Sequence, residues 1–143
     1  MELKLELVIL PVADVDRAKA FYVERAGFEL LVDHRAGDTF RVVQLNPPGS
    51  ACAIAIGSGI TSAEPGSVRG LHLMVTDLAA ARAALLARGV TVGEPRHIEA
   101  GVWSAGIHPD RRDYSTFADF ADPDGNTWLL QERGFAASSP GGD

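Results

Sequence analysis

The sequence predicts an α+β fold: two βαβββ modules that form curved mixed sheets around a pocket, with the helices outside. Three observations carry this. Leu10-Pro11-Val12-Ala13-Asp14-Val15 and Leu73-Met74-Val75-Thr76-Asp77-Leu78 each end an apolar strand at an aspartate suited to capping a helix. An apolar stripe at helical spacing follows each aspartate, and a glycine, Gly27 or Gly89, ends each helix. Two turn sequences, Asn46-Pro47-Pro48-Gly49 and Asp122-Pro123-Asp124-Gly125, then fall at matching places between short strands.

The elements follow in order. In the first module, about residues 4–56, Val15, Ala18 and Tyr22 form the helix stripe. Strands are predicted over 28–33, 39–45 and 51–56, the last two flanking the Asn46 turn. Residues 57–69, rich in Gly, Ser, Thr and Pro, read as a linker. In the second module, about 70–133, Leu78, Ala81 and Leu85 form the stripe, and strands are predicted over 90–92, 114–121 and 127–132. Residues 93–113 form a long connection, read either as a binding loop over the pocket or as a surface insertion. Residues 134–143 are a small, polar tail expected to fray.

A chain of 143 residues with 46% hydrophobic and 22% charged residues fits one globular domain over 1–143. Its net charge of −6 lacks the basic face that phosphate binding needs, so a nucleic-acid partner is not expected. Neither is a membrane partner, because no apolar run is long enough to span a bilayer. Glu2, Lys4 and Glu6 interrupt the apolar start of the chain, which leaves the cytoplasm as the expected compartment. Cys52, the single cysteine, reads as a small buried apolar residue.

The motifs Leu10-Pro11-Val12-Ala13-Asp14-Val15-Asp16-Arg17-Ala18, Phe21-Tyr22, Gly27-Phe28 and Asp122-Pro123-Asp124-Gly125-Asn126, set in a duplicated frame over roughly residues 4–133, resemble the vicinal oxygen chelate superfamily. That group includes glyoxalase, bleomycin-resistance and extradiol dioxygenase proteins. The resemblance implies a divalent metal held by His, Glu or Gln side chains from the first and last strands of each module. Carried over one at a time, those positions fall on Leu7, Ala53, Gly70 and Leu129, none of which offers a donor atom. His72 and Gln131 lie two residues beyond Gly70 and Leu129 and so share their face, but one His and one Gln are too few for a secure metal site. No metal and no cofactor are therefore expected. Glu6 and Glu132 are out of phase, and alternation turns them away from the pocket.

The expected function is metal-free binding or sequestration of a small, partly apolar molecule. Leu7, Ala53, Gly70, Met74 and Leu129 would line the site, His72, Gln131 and Tyr114 would supply polar contacts, and Trp103 would cover the ligand. The alternatives are a lyase or dioxygenase with relocated metal ligands, and a metal-independent isomerase using His72 as acid or base. His34, His97 and His108 are expected at the surface, and Arg111 and Arg112 in local salt bridges with Asp110 and Asp113. A homodimer is expected from the resemblance and because two-fold closure is common.

Overall fold

The computed structural model describes residues 1–136. The element order is β1 (Leu7–Ile9), α1 (Val15–Ala20), β2 (Glu29–Ala36), β3 (Phe40–Asn46), β4 (Ala53–Ser58), β5 (Leu71–Val75), α2 (Leu78–Ala87), β6 (Arg96–Glu99), β7 (Val102–Ala105), β8 (Thr116–Ala121) and β9 (Thr127–Glu132). The chain divides into two compact units. The first is Met1–Arg69 with Ala121–Thr127; the second is Gly70–Phe120 with the chain from Trp128 on. Most of the tail predicted to fray lies outside the described residues.

The first unit holds a four-stranded mixed sheet, order β1-β4-β3-β2, with β1 parallel to β4 and the other pairs antiparallel. Asp14 caps α1 by accepting the Arg17 N–H at 3.0 Å. Beyond Ala20 the helix widens into one π turn over Phe21–Arg25, where the Ala26 N–H reaches the Phe21 carbonyl. The predicted stripe is the buried one: Val15, Ala18 and Tyr22 pack inward with Val43, Leu45, Ile54 and Ile56. Strand alternation puts the opposite set, including Ala53 and Ala55, on the other face.

The Asp122-Pro123-Asp124-Gly125-Asn126 turn belongs to this first unit, not to the module that encodes it. Asp122 accepts from the backbone N–H groups of Asp124 and Asn126, from the Asn126 amide and, at 2.8 Å, from the Tyr22 hydroxyl. The Asn126 side chain then donates to the Pro11 carbonyl and accepts from the Val68 N–H. These polar groups are buried and mutually satisfied, so the motif is a clasp within the unit.

The second unit holds a five-stranded mixed sheet, order β5-β9-β8-β6-β7, with β5 parallel to β9. Asp77 caps α2 through the Ala80 N–H. Only Leu78 of the predicted stripe is fully buried; Ala81 and Leu85 are half-buried. The strand predicted at 90–92 does not form. Val90 and Val92 are buried, but no sheet ladder takes them up, and the next backbone bond is Gly93 N–H to the Asp119 carbonyl. The 93–113 connection is likewise no loose insertion. It contains the β6–β7 hairpin, which joins the sheet by pairing with β8. Both residues of its turn, Ala100 (φ 51°) and Gly101 (φ 78°), are left-handed, as a two-residue hairpin matching the sheet twist requires. Among the described residues no helix is long and apolar enough to cross a membrane.

Candidate functional site

Register and alternation assign each predicted residue to a face. In the second unit His72 lies across from Leu129, and Met74 across from Gln131, all on one side of the sheet. The other side carries Trp128, Leu130 and Glu132, which are buried. Phe117 of β8 joins the first group, with its ring 6.3 Å from His72 and edge-on to it. Trp103 lies 5.4 Å from Phe117, and the Arg96 guanidinium sits over the Trp103 ring at 5.3 Å while pairing with Asp119. One face thus gathers His72, Met74, Leu129, Gln131, Phe117 and Trp103, with Met74 and Trp103 about half exposed.

Tyr114 stands at the edge of this group. Its backbone is left-handed at φ 66°, its carbonyl accepts from the Gln131 amide at 3.0 Å, and the Arg133 guanidinium stacks on its ring. Gly70 leads into β5 at φ 74°, and a Cβ there would meet nothing within 4 Å. Its glycine therefore serves the backbone angle, and a larger side chain would strain the chain.

In the first unit Leu7 lies beside Ala53 and Ile9 beside Ala55, on the face that also carries Val42 and Gln44. Ala53 and Ala55 are buried and Leu7 is half-buried. A cavity of about 540 Å³ is elsewhere in this unit, lined among others by Asp14, Asp16, Arg35, Asp38, Phe40 and Arg41. It contains none of the predicted site residues, and its Arg41 is taken up by carboxylates. Arg41 donates to Asp33 at 3.0 and 2.9 Å and to Asp16 at 2.7 Å. Those bonds, with Lys19 as a second donor, hold the Asp33 carboxyl well below the usual carboxylate range, and Asp16 is lowered chiefly by Arg41.

Leu7, Ala53, Gly70 and Leu129 offer no donor atom where the resemblance implies metal ligands, so these positions do not fit a divalent ion. Among the described residues no group of three His, Cys, Asp or Glu side chains converges.

Three expectations need correction. His108 is not at the surface. It is buried, donates from Nε2 to Glu99, and accepts at Nδ1 from the Asp110 N–H. That bond lowers the Glu99 carboxyl. Arg111 bypasses its acidic neighbours and grips the buried Glu132 at 2.8 and 2.5 Å, with Asp77 at 3.6 Å; Glu132 in turn accepts the Leu78 N–H at the start of α2. Arg112 pairs with Glu99. Cys52 is half-buried rather than buried, with its thiol against the Ala53 carbonyl. His34 is exposed, as expected, beside Phe40. Tyr114, Phe117 and Phe120 do not share one strand face, so the sequence leaves open which of them joins the site; the ring contacts decide it, with Phe117 against His72 and Phe120 stacked on Trp128 on the opposite face.

A family model described as Glyoxalase/Bleomycin resistance protein/Dioxygenase superfamily matches residues 4–130. The chain is 26% identical over 127 residues to the uncharacterized protein YetH of Bacillus subtilis (strain 168), covering 87% of this chain and 94% of that one. Among solved structures it is similar to TnmS3, an antibiotic binding protein from Streptomyces sp. CB03234, at 33% identity and a TM-score of 0.71, covering 92% of this chain and 96% of that one. A glyoxalase/bleomycin resistance protein from the same Streptomyces is 34% identical with a TM-score of 0.68, covering 90% and 100%. With two mixed sheets built from repeated β-α-β units and a family match over most of its length, the chain belongs to the glyoxalase/bleomycin resistance protein/dioxygenase superfamily.

Proposed function

We propose that this protein binds a compact, largely apolar or aromatic small molecule without a metal, and sequesters or carries it. The observation that carries the reading is the face of the β5-β9-β8-β6-β7 sheet on which Trp103, Phe117 and His72 make successive ring contacts beside Met74 and Leu129. Aromatic side chains give large contact area with few rotamers to freeze, and a few polar groups among them fix orientation. The likeness to an antibiotic binding protein supports the same reading.

Native mass spectrometry of the purified protein, before and after denaturation, tests it by reporting bound metal and any carried molecule. A thermal-shift screen of aromatic and antibiotic-like compounds should raise the melting temperature by several degrees for a true ligand. Met74→Glu, which adds a charge to the face at a half-exposed position, should abolish that gain. A stoichiometric metal whose removal lowers thermal stability, or no stabilising compound at all, would defeat the proposal.

For a partner of its own kind, the outer edge of β2 is the proposed contact. All eight of its residues are exposed, Leu30, Leu31 and Val32 among them. Antiparallel pairing with a second copy centred on Val32 sets Glu29 across from Arg35 on both sides. Sedimentation of the wild type should give a dimer, Glu29→Arg a monomer, and Glu29→Arg with Arg35→Glu a dimer again.

A further inference from the structure

We infer that His72 acts toward the ligand as a hydrogen-bond acceptor, so that the ligand is an aromatic molecule carrying a hydroxyl or amine donor. This rests on the reading of the aromatic face as the binding site and adds the polarity of the contact.

Gly70 sets the state of the His72 ring. Its left-handed backbone leads into β5, and its carbonyl lies 2.8 Å from His72 Nδ1. A carbonyl has no proton to give, so Nδ1 carries the hydrogen. Neutral imidazole has only one N–H, which leaves Nε2 with a bare lone pair. The side chain is exposed on the sheet face, edge-on to Phe117. Gln131 repeats the arrangement: its amide donates to the Tyr114 carbonyl at 3.0 Å, which assigns the amide orientation and leaves Oε1 as an acceptor. Two main-chain carbonyls thus occupy a donor on each polar side chain of the β5–β9 pair.

The consequence is selectivity. A ligand hydroxyl over the Phe117 and Trp103 rings finds a fixed acceptor. An ether or carbonyl oxygen at the same place meets the Nε2 lone pair and is disfavoured. Gly70 is the positioning residue, because its carbonyl sets the tautomer.

Two measurements test this at pH 8, which keeps imidazoles neutral. Long-range proton–nitrogen correlation of the histidine side chains should give His72 the Nδ1–H pattern; the Nε2–H pattern would overturn the inference. Titration with 2-naphthol and with 2-methoxynaphthalene, followed by amide shifts of residues 72–74 and 129–131, should give about fivefold to tenfold tighter binding of the naphthol. His72→Phe keeps the ring contact and should erase the preference without weakening the ether. Equal binding of the two probes by the wild type, or a preference that survives His72→Phe, overturns the acceptor role and leaves the binding face standing. Failure of both probes to bind overturns the binding face itself, and the tautomer measurement still decides the state of His72.

Discussion

The two units bury an ionised group on the helix side of a sheet in opposite ways. In the first, the buried group is a cation, Arg41, and its partners Asp33 and Asp16 are progressively more exposed, with side chains 23% and 77% accessible. In the second it is an anion, Glu132, fully buried and bonded at both oxygens to Arg111 and to the first N–H of α2. The open faces differ as well: aliphatic around Leu7, Ile9 and Ala55 in the first, aromatic around Phe117 and Trp103 in the second. A repeated topology constrains where groups lie, and the chemistry at each place diverges freely. What decides the cost of losing a charge is whether water can reach the partner left behind.

The largest effect expected from that difference is at Glu132. Glu132→Gln weakens the ion pair and leaves Arg111 short of its counter-charge, at a cost of about 3 kcal/mol in urea unfolding. Glu132→Leu with Arg111→Met should recover most of it, because no buried charge is then unpaired.

A pair of glycines sharpens the contrast further. Gly66 in the first unit and Gly70 in the second are both left-handed, at φ 78° and 74°. A Cβ on Gly66 would stand 1.9 Å from the Asp124 carbonyl oxygen, whereas one on Gly70 meets open space. Gly66→Ala should therefore cost about 3 kcal/mol, through displacement of the Asp122–Asn126 clasp, and Gly70→Ala about 1 kcal/mol from backbone conformation alone. Equal losses would show that the clasp yields easily.

Arg41→Met should cost about 1–2 kcal/mol at neutral pH, less than Glu132→Gln, since water reaches the abandoned carboxylates. Its signature is the acid limb. Asp33 is lowered in the folded state, so its contribution is present above about pH 4, the unfolded value, and is lost as pH falls toward the folded one. Urea midpoints between pH 7 and 2 should fall less steeply in Arg41→Met than in the wild type, the gap between the two narrowing steadily below about pH 4.

Trp103→Ala should be the mildest for stability, below about 0.5 kcal/mol for a side chain half in water, yet it should weaken an aromatic ligand about tenfold. A large loss of stability instead would make Trp103 part of the packing of the hairpin rather than of the binding face.

Much of the fold was legible because it depends on near neighbours in the chain. The capping aspartates, the stripe of Val15, Ala18 and Tyr22, and the two Pro-containing turns act within a few residues of themselves. Strand alternation alone also separates His72, Met74, Leu129 and Gln131 from Trp128 and Glu132. The β6–β7 hairpin was not legible. Its turn uses Ala100 in a left-handed conformation that the sequence marks only by Gly101, and it joins the sheet through β6 alone, which pairs with β8 far along the chain, Arg96 against Phe117.

What the sequence determined by itself is therefore the repeat, its caps and turns, and the face each strand residue takes, since these follow from local geometry with a fixed period. What only the tertiary structure decided is which distant groups meet: Arg111 with Glu132, His108 with Glu99, the Asp122 clasp with Tyr22 and Pro11, and the His72 ring with Phe117. Those pairings depend on how strands far apart in the chain are ordered and registered, and no period in the sequence encodes the choice among several charged or aromatic partners at similar spacing.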